Sequence, residues 1–145
     1  MEYKSKDTFE KIIEVKRVIK KITGGNKLTM TALVLVGDKN GRFGFALGKG
    51  INVPQAVQRA VAKAKKNMIQ IKIVDETISH DVFFKYKASS VLIKPAIKGS
   101  GIIAGGVARE IFQIAGLQNV SAKMLGSSNK LSNIHCVANA LMSLK

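Results

Sequence analysis

The sequence predicts an α+β fold in two small halves, each with helices laid on a sheet. Three observations carry that expectation. An alternating apolar run, Leu28 to Val36, passes through Asn40-Gly41 into a second strand and then a helix opened by Pro54. The charge pattern changes sign at VDETISHD, where Asp75, Glu76 and Asp81 cluster. Beyond it come two more strand patterns, a glycine-rich turn and two helices separated by a strand. The expected domains are therefore residues 1–74 and 75–145.

Taken in order, Phe9 to Ile22 reads either as an irregular strand or as a helix. Alternation holds at Ile13, Val15, Arg17 and Ile19 and then breaks. Gly24-Gly25 ends the segment with a turn. In the next strand Leu28, Met30, Ala32, Val34 and Val36 alternate with Thr29, Thr31, Leu33 and Leu35. The returning strand, Arg42 to Gly48, sets Phe43, Phe45 and Leu47 on one side. Gly44, Ala46 and Gly48 leave its other side nearly bare, so a helix, a backbone or a ligand can approach closely there. The helix from Pro54 to about Met68 gathers Val53, Ala56, Val57, Ala60, Val61, Ala64 and Met68 on one face, with Arg59, Lys63 and Lys66 near the opposite edge. The first half is thus expected to be a three-stranded antiparallel meander under one helix.

In the second half, strands are expected near Val82–Tyr86 and Ser90–Lys94, followed by the turn KGSGIIAGG. A short helix follows, with Val107, Ala108, Ile111, Ile114 and Ala115 facing inward and Gly116 ending it. A strand near Val120–Leu125 leads to a last helix over about Leu131–Leu144. Asn129 or Ser132 is available to cap its start.

The 24 Lys and Arg against 9 Asp and Glu leave a formal charge of +15 on 145 residues. Between Lys39 and Val74 there are eight basic residues and no acid. Such imbalance repels itself unless a polyanion screens it, and phosphate backbones do so while releasing counterions. An apolar fraction of 46% excludes a disordered basic tail. No apolar run is long enough to cross a bilayer, and no basic amphipathic terminal helix suits a membrane surface, so nucleic acid is the expected partner. Cys136 alone excludes an internal disulfide and a cysteine-based zinc site, and two histidines do not make a histidine-rich metal site. The polar start MEYKSKDTFEK, with Glu2, Asp7 and Glu10, resembles neither a secretory signal nor a transit peptide. The protein is expected to work where it is made.

Several motifs invite chemistry. GRFGFALGKG lacks the Walker pattern: Phe43 stands where the first glycine belongs, and Gly50 follows Lys49 where a hydroxyl is needed for magnesium. Two readings stay open for it, helix packing on the small residues and phosphate contact from Arg42 and Lys49 at the strand ends. Gly99 to Ala104 fits G-x-G-x-x-A, but no acid follows Glu110 to hold a ribose, which argues against a dinucleotide cofactor. Glycine amides before a helix still suit any phosphate. Arg59, Lys63 and Lys66 form either a solvated face or, with no acid at i±4 to pair with them, an RNA contact, which is the favoured reading. His135 and Cys136 read as packing residues, and paired carboxylates for acid–base work are absent. With no Trp, and Phe and Tyr mostly in strand patterns, phosphate and shape should dominate over base stacking.

The run TALVLVGDKNGRFGFALGKGINVPQAVQRAVAKAKKNMIQI resembles the N-terminal domain of the family of bacterial-type small-subunit ribosomal protein number five. KPAIKGSGIIAGGVAREIFQIAG and NVSAKMLGSSNKLSN are similar to landmarks of the same family's second half. The resemblance implies a double-stranded-RNA-binding-like domain followed by a left-handed βαβ-type domain. It also implies binding to 16S-type rRNA beside small-subunit ribosomal proteins four and eight, near where mRNA enters, with an influence on decoding accuracy. The family's decoding-side loop falls on Gly24, Gly25, Asn26 and Lys27, with Asn26 where members usually carry an arginine. Asn129-Lys130 stands where they carry Asn-Pro.

The expectation is therefore a structural, non-catalytic rRNA-binding component without cofactor or metal, on a bacterial or organellar ribosome. Lys20, Lys21, Lys27, Arg42, Lys49, Arg59, Lys63 and Lys66 are the expected phosphate contacts. Gly24, Gly25 and Asn26 in the first loop, and Gly99, Ser100, Gly101, Gly105 and Gly106 in the second, are expected to admit the RNA backbone. Two alternatives stand beside it: a phosphate-binding small-molecule enzyme of related C-terminal fold, and a free double-stranded-RNA binder.

Overall fold

The computed structural model describes residues 8–144, so Glu2 and Asp7 of the polar start lie outside the described residues. The chain forms two compact units. One takes residues 10–36 and 44–68; the other takes 37–43, 69–144 and Phe9.

The first unit holds most of β1 (Phe9–Ile22), β2 (Gly25–Gly37) and β3 (Arg42–Gly50), with α1 (Val53–Lys66) packed on them. β1 is a strand throughout, which settles the ambiguity of that segment. Its alternation breaks because all but Ile13 and Glu14 are exposed, so no buried face demands a regular apolar set. On β2, Ala32, Val34 and Val36 pack against Ala56, Ala60 and Ala64 of α1, all fully buried. Leu33 and Leu35 on the other face are buried as well, which accounts for the unbroken apolar run there. Pro54 stands in the first turn of α1, where its missing N–H costs nothing.

The bare side of β3 belongs to α1. A Cβ on Gly48 would overlap the Ala56 carbonyl oxygen, and one on Gly44 the Ala64 carbonyl oxygen. The small residues let the helix backbone lie directly on the strand.

A fourth strand joins this sheet, where three were expected. β4 (Ile69–Gln70) pairs antiparallel with Phe43 and Arg42, giving the order β1-β2-β3-β4. Two residues carry no periodic signal, so its pairing was not legible.

The second unit contains β5 (Val82–Tyr86), β6 (Ser89–Pro95), β7 (Ile102–Ile103), α2 (Gly106–Ala115), β8 (Val120–Gly126) and α3 (Lys130–Met142). The sheet order is β5-β6-β8-β7, antiparallel except for the parallel β7–β8 pair. β7, α2 and β8 therefore make a βαβ crossover. The segment expected as a single glycine turn contains β7. Phe112, absent from the expected inward set of α2, is fully buried beside Ile111. Gly116 closes α2 in the left-handed conformation, φ +92°, with its N–H on the Phe112 carbonyl. Of the two capping candidates for α3, Asn129 is the cap: its Oδ1 accepts from the Leu131 N–H at 3.2 Å.

At the charge reversal, Val74 and Thr77 exchange backbone hydrogen bonds at 2.9 Å in both directions. Asp75 and Glu76 between them both have positive φ, the signature of a tight hairpin turn.

Candidate nucleic-acid interface

The alternation of β3 decides where its lysine points. Gly48 faces α1, so Lys49 projects from the opposite face of the sheet. By the same parity Thr29 and Thr31 lie opposite Ala32 and Val34. These residues meet Val18, Lys20 and Lys27 around a groove of about 220 Å³ on the sheet face away from α1, beyond the stretch where Leu33 and Leu35 are buried. Three of the expected phosphate-binding lysines, from three different strands, thus come together. Among the described residues none of the three has a carboxylate within ion-pair distance, whereas Lys16 pairs with Glu14 at 3.5 Å and Lys65 with Glu10 at 2.9 Å.

The other expected residues divide among separate surfaces. Lys21 follows Lys20 on an extended strand and points to the other side of β1. Gly24, Gly25 and Asn26 form the exposed tip of the β1–β2 hairpin. Gly24 has φ +89° and open space around its Cα, so backbone conformation rather than crowding requires glycine there. Lys63 and Lys66 are exposed on the last turns of α1, again without a carboxylate partner among the described residues. Arg59 is exposed but tied down: its Nη1 donates to the Lys49 carbonyl at 2.9 Å, fixing α1 to the end of β3. Arg42 is exposed at the start of β3, where its N–H and that of Asn40 both donate to Asp38 Oδ1.

The second glycine loop is only partly available. The N–H groups of Gly99 and Gly101 both donate to Asn119 Oδ1, at 3.1 and 3.2 Å, and Ser100 N–H donates to the Ile97 carbonyl. Three of the five expected loop amides are therefore committed inside the protein. The dinucleotide pattern fails structurally too, because α2 begins at Gly106, beyond the pattern's last residue. Gly105 and Gly106 are placed differently. They line a notch of about 410 Å³ with Lys123, Ser127, Ser128, Lys130 and Asn133, where the N-termini of α2 and α3 meet the end of β8.

Sequence reasoning missed Asn119 as the loop's internal anchor and the whole far wall of this notch. The available signal was Gly-Ser-Ser-Asn, small and hydroxyl-bearing residues just ahead of a helix.

His135 and Cys136 take packing roles. Cys136 is buried and its thiol donates to the Phe84 carbonyl at 3.3 Å; burial pushes its pKa up, against backbone hydrogen bonds that lower it. His135 stacks on Tyr86, and burial, with Lys87 nearby, holds its pKa below the ordinary 6.5. Among the described residues no three His, Cys, Asp or Glu side chains gather where a metal could bind, and no helix is long and apolar enough to cross a membrane.

Comparison with protein families adds two matches in chain order. The model described as ribosomal protein S5, N-terminal domain, matches residues 8–72. The model described as ribosomal protein S5, C-terminal domain, matches residues 84–145.

Proposed function

The chain belongs to the ribosomal protein S5 family, a structural and non-enzymatic part of the small ribosomal subunit, and on that premise we propose that it holds 16S-type rRNA through phosphate and shape contacts. The observation that carries this reading is the convergence of Lys20, Lys27 and Lys49 on one groove of the sheet face away from α1. Three ammonium groups with no carboxylate partner among the described residues stand around Thr29 and Thr31, and none of the residues lining the groove is aromatic. That combination suits a phosphate backbone and does not read bases. Lys63 and Lys66 extend the same chemistry to α1, and the Gly24–Lys27 tip reaches RNA on the decoding side.

In this reading residues 1–74 serve as the RNA-binding domain and residues 75–145 as the second domain. Small-subunit ribosomal proteins four and eight are the protein neighbours, and mRNA passes close by where it enters the subunit. The chain supports subunit assembly and decoding accuracy, on the ribosome of a bacterial cytoplasm or of a plastid or mitochondrion.

Binding to protein-free small-subunit rRNA across a salt series tests the reading. Lys20→Gln, Lys27→Gln and Lys49→Gln together should flatten the plot of log K against log salt by about one unit per lost contact, without changing sequence preference. An unchanged slope refutes the assignment of this face.

A further inference from the structure

The notch between the starts of α2 and α3 lies on other elements than the lysine groove, and its composition is that of an anion site. No side chain caps α2: its N-cap is Gly105, in an extended conformation. The first N–H groups of a helix have no partner within the helix and carry its positive dipole end. Neither α2 nor α3 has an acid in its first turn to offset that field. Lys123 and Lys130 add two exposed ammonium groups to the rim, and Ser128 contributes a hydroxyl.

A second observation is independent of the helix ends. Asn133 is only 8% exposed, lines the notch, and its Oδ1 has no hydrogen-bond partner. An unpartnered buried amide oxygen is costly, and it calls for a donor or for the amide to turn over. A half-turn of the amide exchanges its oxygen for an NH2 carrying two donors, so the side chain can serve an anion as well as a donor.

We propose that this notch binds a single phosphate group, held by the α2 N-terminal amides at Gly105–Gly106, the Asn133 amide and the Lys123 and Lys130 ammonium groups. A backbone phosphate of the rRNA is its source. The choice of source rests on the RNA reading above, whereas the phosphate chemistry does not.

Amide NMR spectra of the full chain test this in two arms, one titrated with inorganic phosphate at matched ionic strength and one with a short RNA duplex. Saturable shifts of the Gly105, Gly106, Ser127 and Ser128 amides are expected in both. The surface pair Lys123→Gln and Lys130→Gln should weaken phosphate binding about tenfold, since each lost partner is a charge-assisted contact. Asn133→Asp, which sets a carboxylate in the notch, should abolish the shifts; if that variant does not fold, the lysine pair decides. Shifts absent from both arms, or unchanged in the lysine pair, overturn the site. Shifts with phosphate but not with a duplex that binds elsewhere on the chain overturn the RNA source and leave a free phosphate compound as the ligand. If the duplex binds nowhere, the RNA reading fails, and the phosphate arm still decides the notch.

Discussion

At the scale of single residues, the glycines of β3 show how one sequence feature can serve two ends. Gly44 and Gly48 are bare because the backbone of α1 lies on them, and Lys49, one step along the strand, consequently faces the open groove. Helix packing takes one side of this strand, and the Lys49 ammonium proposed to meet phosphate stands on the other. Gly48→Ala should therefore destabilise the fold by about 1–3 kcal/mol in a urea titration, because the added methyl must push α1 away. His135 gives a pH signature. Its folded pKa lies below the ordinary 6.5, so between the two values the unfolded chain binds the extra proton. Its contribution is full above pH 6.5 and is lost as pH falls through that window. Urea midpoints measured on both sides of pH 6.5 should show this loss, and His135→Gln should remove that part of the pH dependence.

At the scale of elements, the segments with a dry face were legible and the others were not. β2, β3 and α1 announce themselves because alternation and helical periodicity are enforced by burial against one another. β1 left its type open because water meets most of it, and β4 and β7 are two-residue strands whose existence depends on partners distant in sequence. The candidate site divides the same way. The lack of acids nearby singles out candidate lysines in the sequence, but the grouping of Lys20, Lys27 and Lys49 depends on strand parity across three strands. The 96–101 loop is a further case, because its glycines looked like a phosphate cradle, whereas the anchoring of the Gly99 and Gly101 amides by Asn119 left no mark in the sequence. Asn119→Ala should leave the Gly99 and Gly101 amides without their acceptor. Faster hydrogen exchange at both amides and a stability loss of about 1–3 kcal/mol are expected.

At the scale of the whole molecule, a charge of +15 sets the conditions under which the chain is comfortable. Like charges repel in the free protein, and salt screens them within a Debye length of about 8–10 Å. The melting temperature of the free chain should therefore rise with added salt, while its affinity for rRNA falls over the same range. A component built for a polyanion behaves in this opposed way. The most direct measurement is sedimentation of a cell lysate in which the chain and its Lys20→Gln, Lys27→Gln, Lys49→Gln variant are compared. The chain should travel with small ribosomal subunits and the folded variant should be depleted from them. A variant that stays with the subunits as fully as the parent chain, at every salt concentration, would contradict the account.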